Sequence, residues 1–98
     1  MSEKEIQDSI LEYLGYKNVF HYRNNSGALK TQHGGFVRFG AKGSPDIIVV
    51  QDGKYIGIEV KTPKGKLSQG QKDFRDSLVS AGGLYIVARS LDDVMALF

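Results

Sequence analysis

Cysteine and tryptophan are absent from these 98 residues, proline occurs twice, and no hydrophobic run approaches membrane length. Without cysteine there is no disulfide framework, no thiolate zinc site and no cysteine nucleophile. Without roughly 20 consecutive apolar residues there is no spanning helix to expect. The chain opens on no basic, apolar, small-residue leader, so the expectation is a cytoplasmic protein. Yet 41% of the residues are hydrophobic, too many for a disordered chain. The length suits one core, and a single domain over residues 1–98 is expected. Stability must then come from packing alone, and partner subunits are a common remedy at this size.

Acidic residues are scarce in two long stretches. None occurs from Tyr13 to Pro45, which holds Lys17, Arg23, Lys30, Arg38 and Lys42. None occurs from Val60 to Lys72, which holds Lys61, Lys64, Lys66 and Lys72. The formal net charge is only +2, so segregation matters more than the sum. Such segregation gives one positive face, as a polyanion binder needs. A patchily charged solvated surface is the plainer alternative.

Ser2 reads as an N-cap with Glu5 as its capping-box partner. Ile6, Ile10, Leu11, Tyr13 and Leu14 then recur with the helical period, and Gly15 ends the pattern. Val19 to Arg23 reads as a strand, and Asn24 to Ser44 as a long polar loop with a short extended stretch at Gly35 to Phe39. A loop of that length in so small a domain is usually functional or mobile. Ile47 to Val50 and Lys54 to Lys61 read as strands joined by Asp52-Gly53, a two-residue hairpin signal. Ser68 and Gln71 form a second capping box, opening a helix that stops at Gly82-Gly83. Leu84 to Ala88 reads as a strand, and Ser90 caps a last short helix. The expected class is α/β, a mixed sheet flanked by helices in the order α-β-β-β-α-β-α, with Ile47 to Val50 central because both its faces are apolar.

A two-residue turn at Asp52-Gly53 pairs Gln51 with Lys54, Val49 with Ile56, Ile47 with Ile58 and therefore Asp46 with Glu59. Directly opposed side chains have Cβ atoms about 4.5–5.5 Å apart. Lys61, two residues past Glu59, points to the same face. Like charges placed opposite each other are destabilising, so this pair calls for a cation between them. Oxygen donors suit Mg²⁺ or Mn²⁺. The alternative is a surface Glu-Lys pair with Asp46 ending a turn, and a three-residue turn would break the register. Glu3 lies at the centre of the helical arc set by Ile6, Gln7, Ile10 and Leu14, which makes it a candidate third acid. Solvation at a fraying helix N-terminus is its other reading.

Pro45-Asp46 followed by Glu59-Val60-Lys61 resembles the PD-(D/E)XK nuclease signature. With Gly43-Ser44-Pro45-Asp46-Ile47-Ile48, Leu67-Ser68-x-x-Gln71 and the Glu3-x-x-Ile6-Gln7 helix, the chain resembles the stand-alone form of the VRR-NUC (virus-type replication-repair nuclease) family. That resemblance implies a restriction-endonuclease-like core. It further implies Asp46, Glu59 and the Val60 carbonyl as Mg²⁺ or Mn²⁺ ligands, with a first-helix acid as an outer one, which fits Glu3 or Glu5 and for which helical phase chooses Glu3. Lys61 would orient water or neutralise phosphate, and Gln71 would align the lysine or a water. It also implies a homodimeric endonuclease of bacterial or phage setting, acting on branched or four-way-junction DNA.

Arg23, Asn24, Asn25, Ser26, Gly27, Lys30, Arg38, Lys42, Ser44, Lys64 and Lys66 are candidate DNA contacts, since such donors hold phosphates without reading sequence. Tyr16, Tyr22 and Phe36 could stack on bases, although core packing is commoner for aromatics. His21 and His33 are expected to be structural or to touch DNA rather than to act as bases. A non-catalytic DNA-binding or assembly module is the rival function. A sequence-specific restriction-type enzyme is a third reading, for which 98 residues leave little room.

Overall fold

The computed structural model describes residues 1–24 and 27–98, with residues 27–30 and 36–39 described in backbone only. The elements in chain order are α1 (Glu3–Tyr16), β1 (His21–Arg23), β2 (Gly27–Lys30), β3 (Phe36–Phe39), β4 (Ile47–Gln51), β5 (Lys54–Val60), α2 (Gln69–Ser80), β6 (Leu84–Ala88) and α3 (Leu91–Met95). Both long helices begin as their capping boxes require. The Ser2 hydroxyl accepts from the Glu5 N–H while Glu5 accepts from the Ser2 N–H, and Ser68 and Gln71 do the same for α2. The Ser2 contacts also hold the exposed Glu5 carboxyl below its ordinary range.

Several details depart from expectation, among them the start of β1 at His21 and not at Val19. Helix α1 passes Gly15 and ends at Tyr16, because Asn18, at φ 56°, supplies the left-handed turn. Ser90 stands at the N-cap of α3 without a side-chain capping bond. The long polar segment contains a small sheet, β2 paired antiparallel with β3, and Thr31 N–H donates to Gly35 O at 2.8 Å beside it. Strand β3 falls on the extended stretch expected at Gly35 to Phe39, while β2, four residues in a glycine-rich stretch, carries too little alternation to stand out.

The main sheet runs β1-β4-β5-β6, with β1 and β5 antiparallel to β4 and β6 parallel to β5. Asp52 and Gly53 both have positive φ, 53° and 75°, the signature of the I′ turn that matches strand twist. The resulting register pairs Gln51 with Lys54 through Ile47 with Ile58, as the sequence arithmetic requires. One sheet face buries Ile47, Val49, Ile56, Ile58 and Val60 against Ile6, Ile10 and Leu14 of α1 and Val94 of α3. The other face meets α2. There Gly57 leaves space that a Cβ would take from Pro45 Cγ, at 2.5 Å, with Leu78 Cδ2 at 3.6 Å. Ile48 is buried on that face, so β4 is covered on both sides, as expected of a doubly apolar strand.

Candidate active site

Asp46 is the residue before β4, next to the last hairpin pair, Ile47 with Ile58, and its carboxyl lies against that of Glu59. The Val60 N–H donates to Asp46 Oδ2 at 2.7 Å, closing this end of the hairpin through a side chain. Glu59 is 3% exposed, the one buried charged residue among the described residues. Its Oε2 accepts from Gln71 Nε2 at 3.3 Å, while Oε1 is buried without a partner. The Tyr85 hydroxyl, reached from β6, is the second buried side-chain atom without a partner among the described residues. Both orphan atoms belong to one cluster.

The electrostatics follow from this crowding. Burial, then the neighbouring carboxyl of Asp46, push the Glu59 carboxyl up to about 8; Lys61 opposes the rise and Glu3 adds to it. Burial and the charges of Glu59 and Asp46 likewise push the Tyr85 hydroxyl well above its ordinary value. Two carboxyls facing each other in a low-dielectric pocket resist ionising together. A divalent cation removes that resistance.

Three further groups hold the site in place. Asn24 N–H donates to Asp46 O at 2.8 Å, and Asn24 Nδ2 donates to Ser44 Oγ and Pro45 O, each at 2.9 Å. Gly43, at φ 76°, lies so close to the start of α2 that a Cβ would stand 2.2 Å from Gly70 O. The Pro45-Asp46 entry is therefore clamped between β1 and α2. Gln71 does double service, its Oε1 accepting from Ser68 N–H at 2.8 Å within the capping box and its amide holding Glu59.

The structure sorts the other expected site residues. Asp46, Glu59, Val60, Lys61 and Gln71 come together. Val60 meets Asp46 through its N–H, and the Gln71 amide bonds Glu59. Glu3 is exposed at the first position of α1, near enough for its charge to raise the Glu59 pKa, and among the described residues no three His, Cys, Asp or Glu side chains form a metal-holding group. The first turn of α1 lies beyond the buried stripe that begins at Ile6.

Lys42, Lys64 and Lys66 are exposed on loops flanking the site. Ser44 is bonded to Asn24, which is itself spent on the entry loop. Arg23 is exposed but in register with Ile47, on the opposite sheet face from Glu59. Asn25 and Ser26 lie outside the described residues, as do the side chains of Lys30, Phe36 and Arg38. His21 Nδ1 sits 2.7 Å from Val19 O, a structural contact, and His33 is exposed. Tyr16 and Tyr22 are 84% and 50% exposed, so neither is a core aromatic.

The model of the VRR-NUC domain matches residues 3–92. The chain belongs to the VRR-NUC family. Its restriction-endonuclease-like fold and its place in a nuclease family acting on DNA follow from that membership. No curated protein shows significant similarity to the chain. Within this VRR-NUC chain the sequence reading overlooked Tyr85 and the clamping role of Asn24. Tyr85 was hidden in an apolar strand pattern, and an asparagine following a strand looks like any other loop residue. No helix among the described residues is long and apolar enough to cross a membrane.

Proposed function

We propose that this VRR-NUC chain is a Mg²⁺- or Mn²⁺-dependent DNA endonuclease, selective for branched or four-way-junction DNA and working as a homodimer. The observation that carries the reading is Glu59, buried beside Asp46 with its Oε1 partnerless and its pKa raised. Every side-chain donor there is oxygen, which suits a hard cation, and one or two carboxylates are the usual protein share of a Mg²⁺ site. Asp46, Glu59 and the Val60 carbonyl would hold the ion, with Glu3 at most outside it. When bound, such an ion supplies Lewis-acid stabilisation and a water that ionises near neutral pH.

The chain's own residues do the rest. Gln71 fixes one oxygen of Glu59, and Asn24 fixes the backbone of Asp46. Lys61, on the same face, holds positive charge where the phosphate gains negative charge and donates to the attacking water. Lys42, Ser44, Lys64 and Lys66 supply phosphate contacts, which favours recognition of DNA shape over base sequence. The homodimer is supported by the small core and by Phe20, Tyr22 and Val50, apolar side chains left exposed on the outer part of the sheet. Two sites also suit the two-fold symmetry of a junction.

Purified protein is expected to cut branched or four-way-junction DNA with Mg²⁺ or Mn²⁺, to stop in EDTA, and to cut plain duplex poorly. Asp46→Ala and Lys61→Ala should each abolish cleavage. Undiminished cleavage by either variant, or salt-sensitive binding without cleavage of any DNA form, would overturn the reading, the latter in favour of a non-catalytic module. A monomeric mass in light scattering would remove the dimer.

A further inference from the structure

Arg89 follows β6 and leads into α3, outside every role assigned so far. Its backbone N–H donates to Asp93 Oδ2 at 2.8 Å, so a carboxylate in the first turn of α3 anchors it. Its guanidinium runs back to the segment that follows β5. There Nη1 donates to the carbonyls of Thr62 at 2.8 Å, Pro63 at 3.2 Å and Gly65 at 2.7 Å. All three contacts come from the one nitrogen Nη1, whose two N–H groups are shared among the carbonyls, and the guanidinium that carries it is always charged.

The gathered turn is the one that follows Lys61. Gly65 N–H closes it on Thr62 O at 3.0 Å. Gly65 thereby lies along the lysine stem: a Cβ built on it would stand 3.4 Å from both Cβ and Cδ of Lys61. On the other side, the Lys61 N–H donates to the carbonyl of Ala88, the residue before Arg89, at 3.0 Å. Lys61 is thus held twice from the end of β6, by its backbone through Ala88 and by its methylenes through the turn that Arg89 collects.

We propose that Arg89 is a positioning residue for Lys61, acting through the Thr62–Gly65 turn to restrict the lysine stem so that its ammonium stays on the face of Asp46 and Glu59. The inference rests on the nuclease reading of Lys61, and Arg89 itself touches no reacting group. A long lysine has many rotamers, and the turn removes those that carry the ammonium away from the carboxylates.

The test compares wild type with Arg89→Met, which keeps the stem and loses the donors, and with Arg89→Lys, which keeps a charge without the planar fork. Both are assayed on four-way-junction DNA well below their unfolding temperatures. Misplacing a reacting group by about an ångström costs up to about a hundredfold, so Arg89→Met is expected to slow single-turnover cleavage by about ten- to a hundredfold. Arg89→Lys should restore only part of that. Mg²⁺ binding followed by calorimetry should stay within about twofold of wild type, because the carboxylate row is untouched.

A readout independent of activity is the ¹³Cε signal of Lys61 in metal-free protein. It should move toward the position and sharpness of a solvated lysine in Arg89→Met, while that of Lys17 stays put. Wild-type cleavage rates in Arg89→Met, or an unchanged Lys61 signal, would overturn the proposal. If wild type cleaves no DNA at all, the nuclease reading fails, and the Lys61 signal decides the role of Arg89 alone. Should Arg89→Met not fold, the same signal in Arg89→Lys decides it.

Discussion

Glu59→Gln removes one ionisable proton from the most costly place in the molecule. In the metal-free protein the Glu59 carboxyl is pushed from its ordinary 4.5 up to about 8 by burial and by Asp46. Between those two values the folded state binds more protons than the unfolded state, so stability falls as pH rises across that window and levels off above it. At about 1.4 kcal/mol per pKa unit, the whole displacement is worth at most about 5 kcal/mol. Structural relaxation and water entry shrink such effects, and about 2 kcal/mol is the working expectation.

Glutamine keeps the shape and the acceptor for Gln71 while carrying no charge, so Glu59→Gln should be more stable than wild type above pH 8 and similar near pH 5. Urea unfolding in EDTA at pH 5, 7 and 9 measures this. With a slope near 1–2 kcal/mol per molar, the midpoints should separate by about 1–2 M at pH 9. Adding Mg²⁺ should raise the wild-type midpoint and leave that of the variant nearly unmoved. A wild-type midpoint in EDTA that is flat or rises from pH 5 to 9, or a variant weaker than wild type at pH 9, would refute the burial account of Glu59.

Gly43→Ala places a methyl 2.2 Å from Gly70 O at a positive φ, so the entry loop must leave the start of α2. A loss of about 2 kcal/mol or more in urea unfolding is expected, together with reduced cleavage. Asn24→Ala removes both Nδ2 bonds to the Ser44–Pro45 entry. It should cost about 1–3 kcal/mol by the same measurement and lower the cleavage rate while DNA binding changes little.

Local chemistry was enough for much of the fold. Ser2 with Glu5 and Ser68 with Gln71 announce two helix starts through side-chain bonds that span only three residues. Asp52-Gly53 announces a hairpin because few residue pairs accept positive φ twice. From that turn, pairing arithmetic alone carries Asp46 to Glu59, since strand side chains alternate with a period of two and one fixed turn sets every later pair.

What lay beyond such short-range rules needed the tertiary structure. Helical phase singled out Glu3, yet only the packed molecule shows its turn standing outside the buried stripe that begins at Ile6. Which side chain Gln71 would hold depended on where α2 crosses the sheet, and the answer is Glu59. Tyr85, Asn24 and Arg89 act across separations of about 20 residues or more, through a parallel strand neighbour, an edge-strand clamp and a gathered turn. No periodicity in the sequence encodes such meetings, because they arise from the docking of elements and not from the elements themselves.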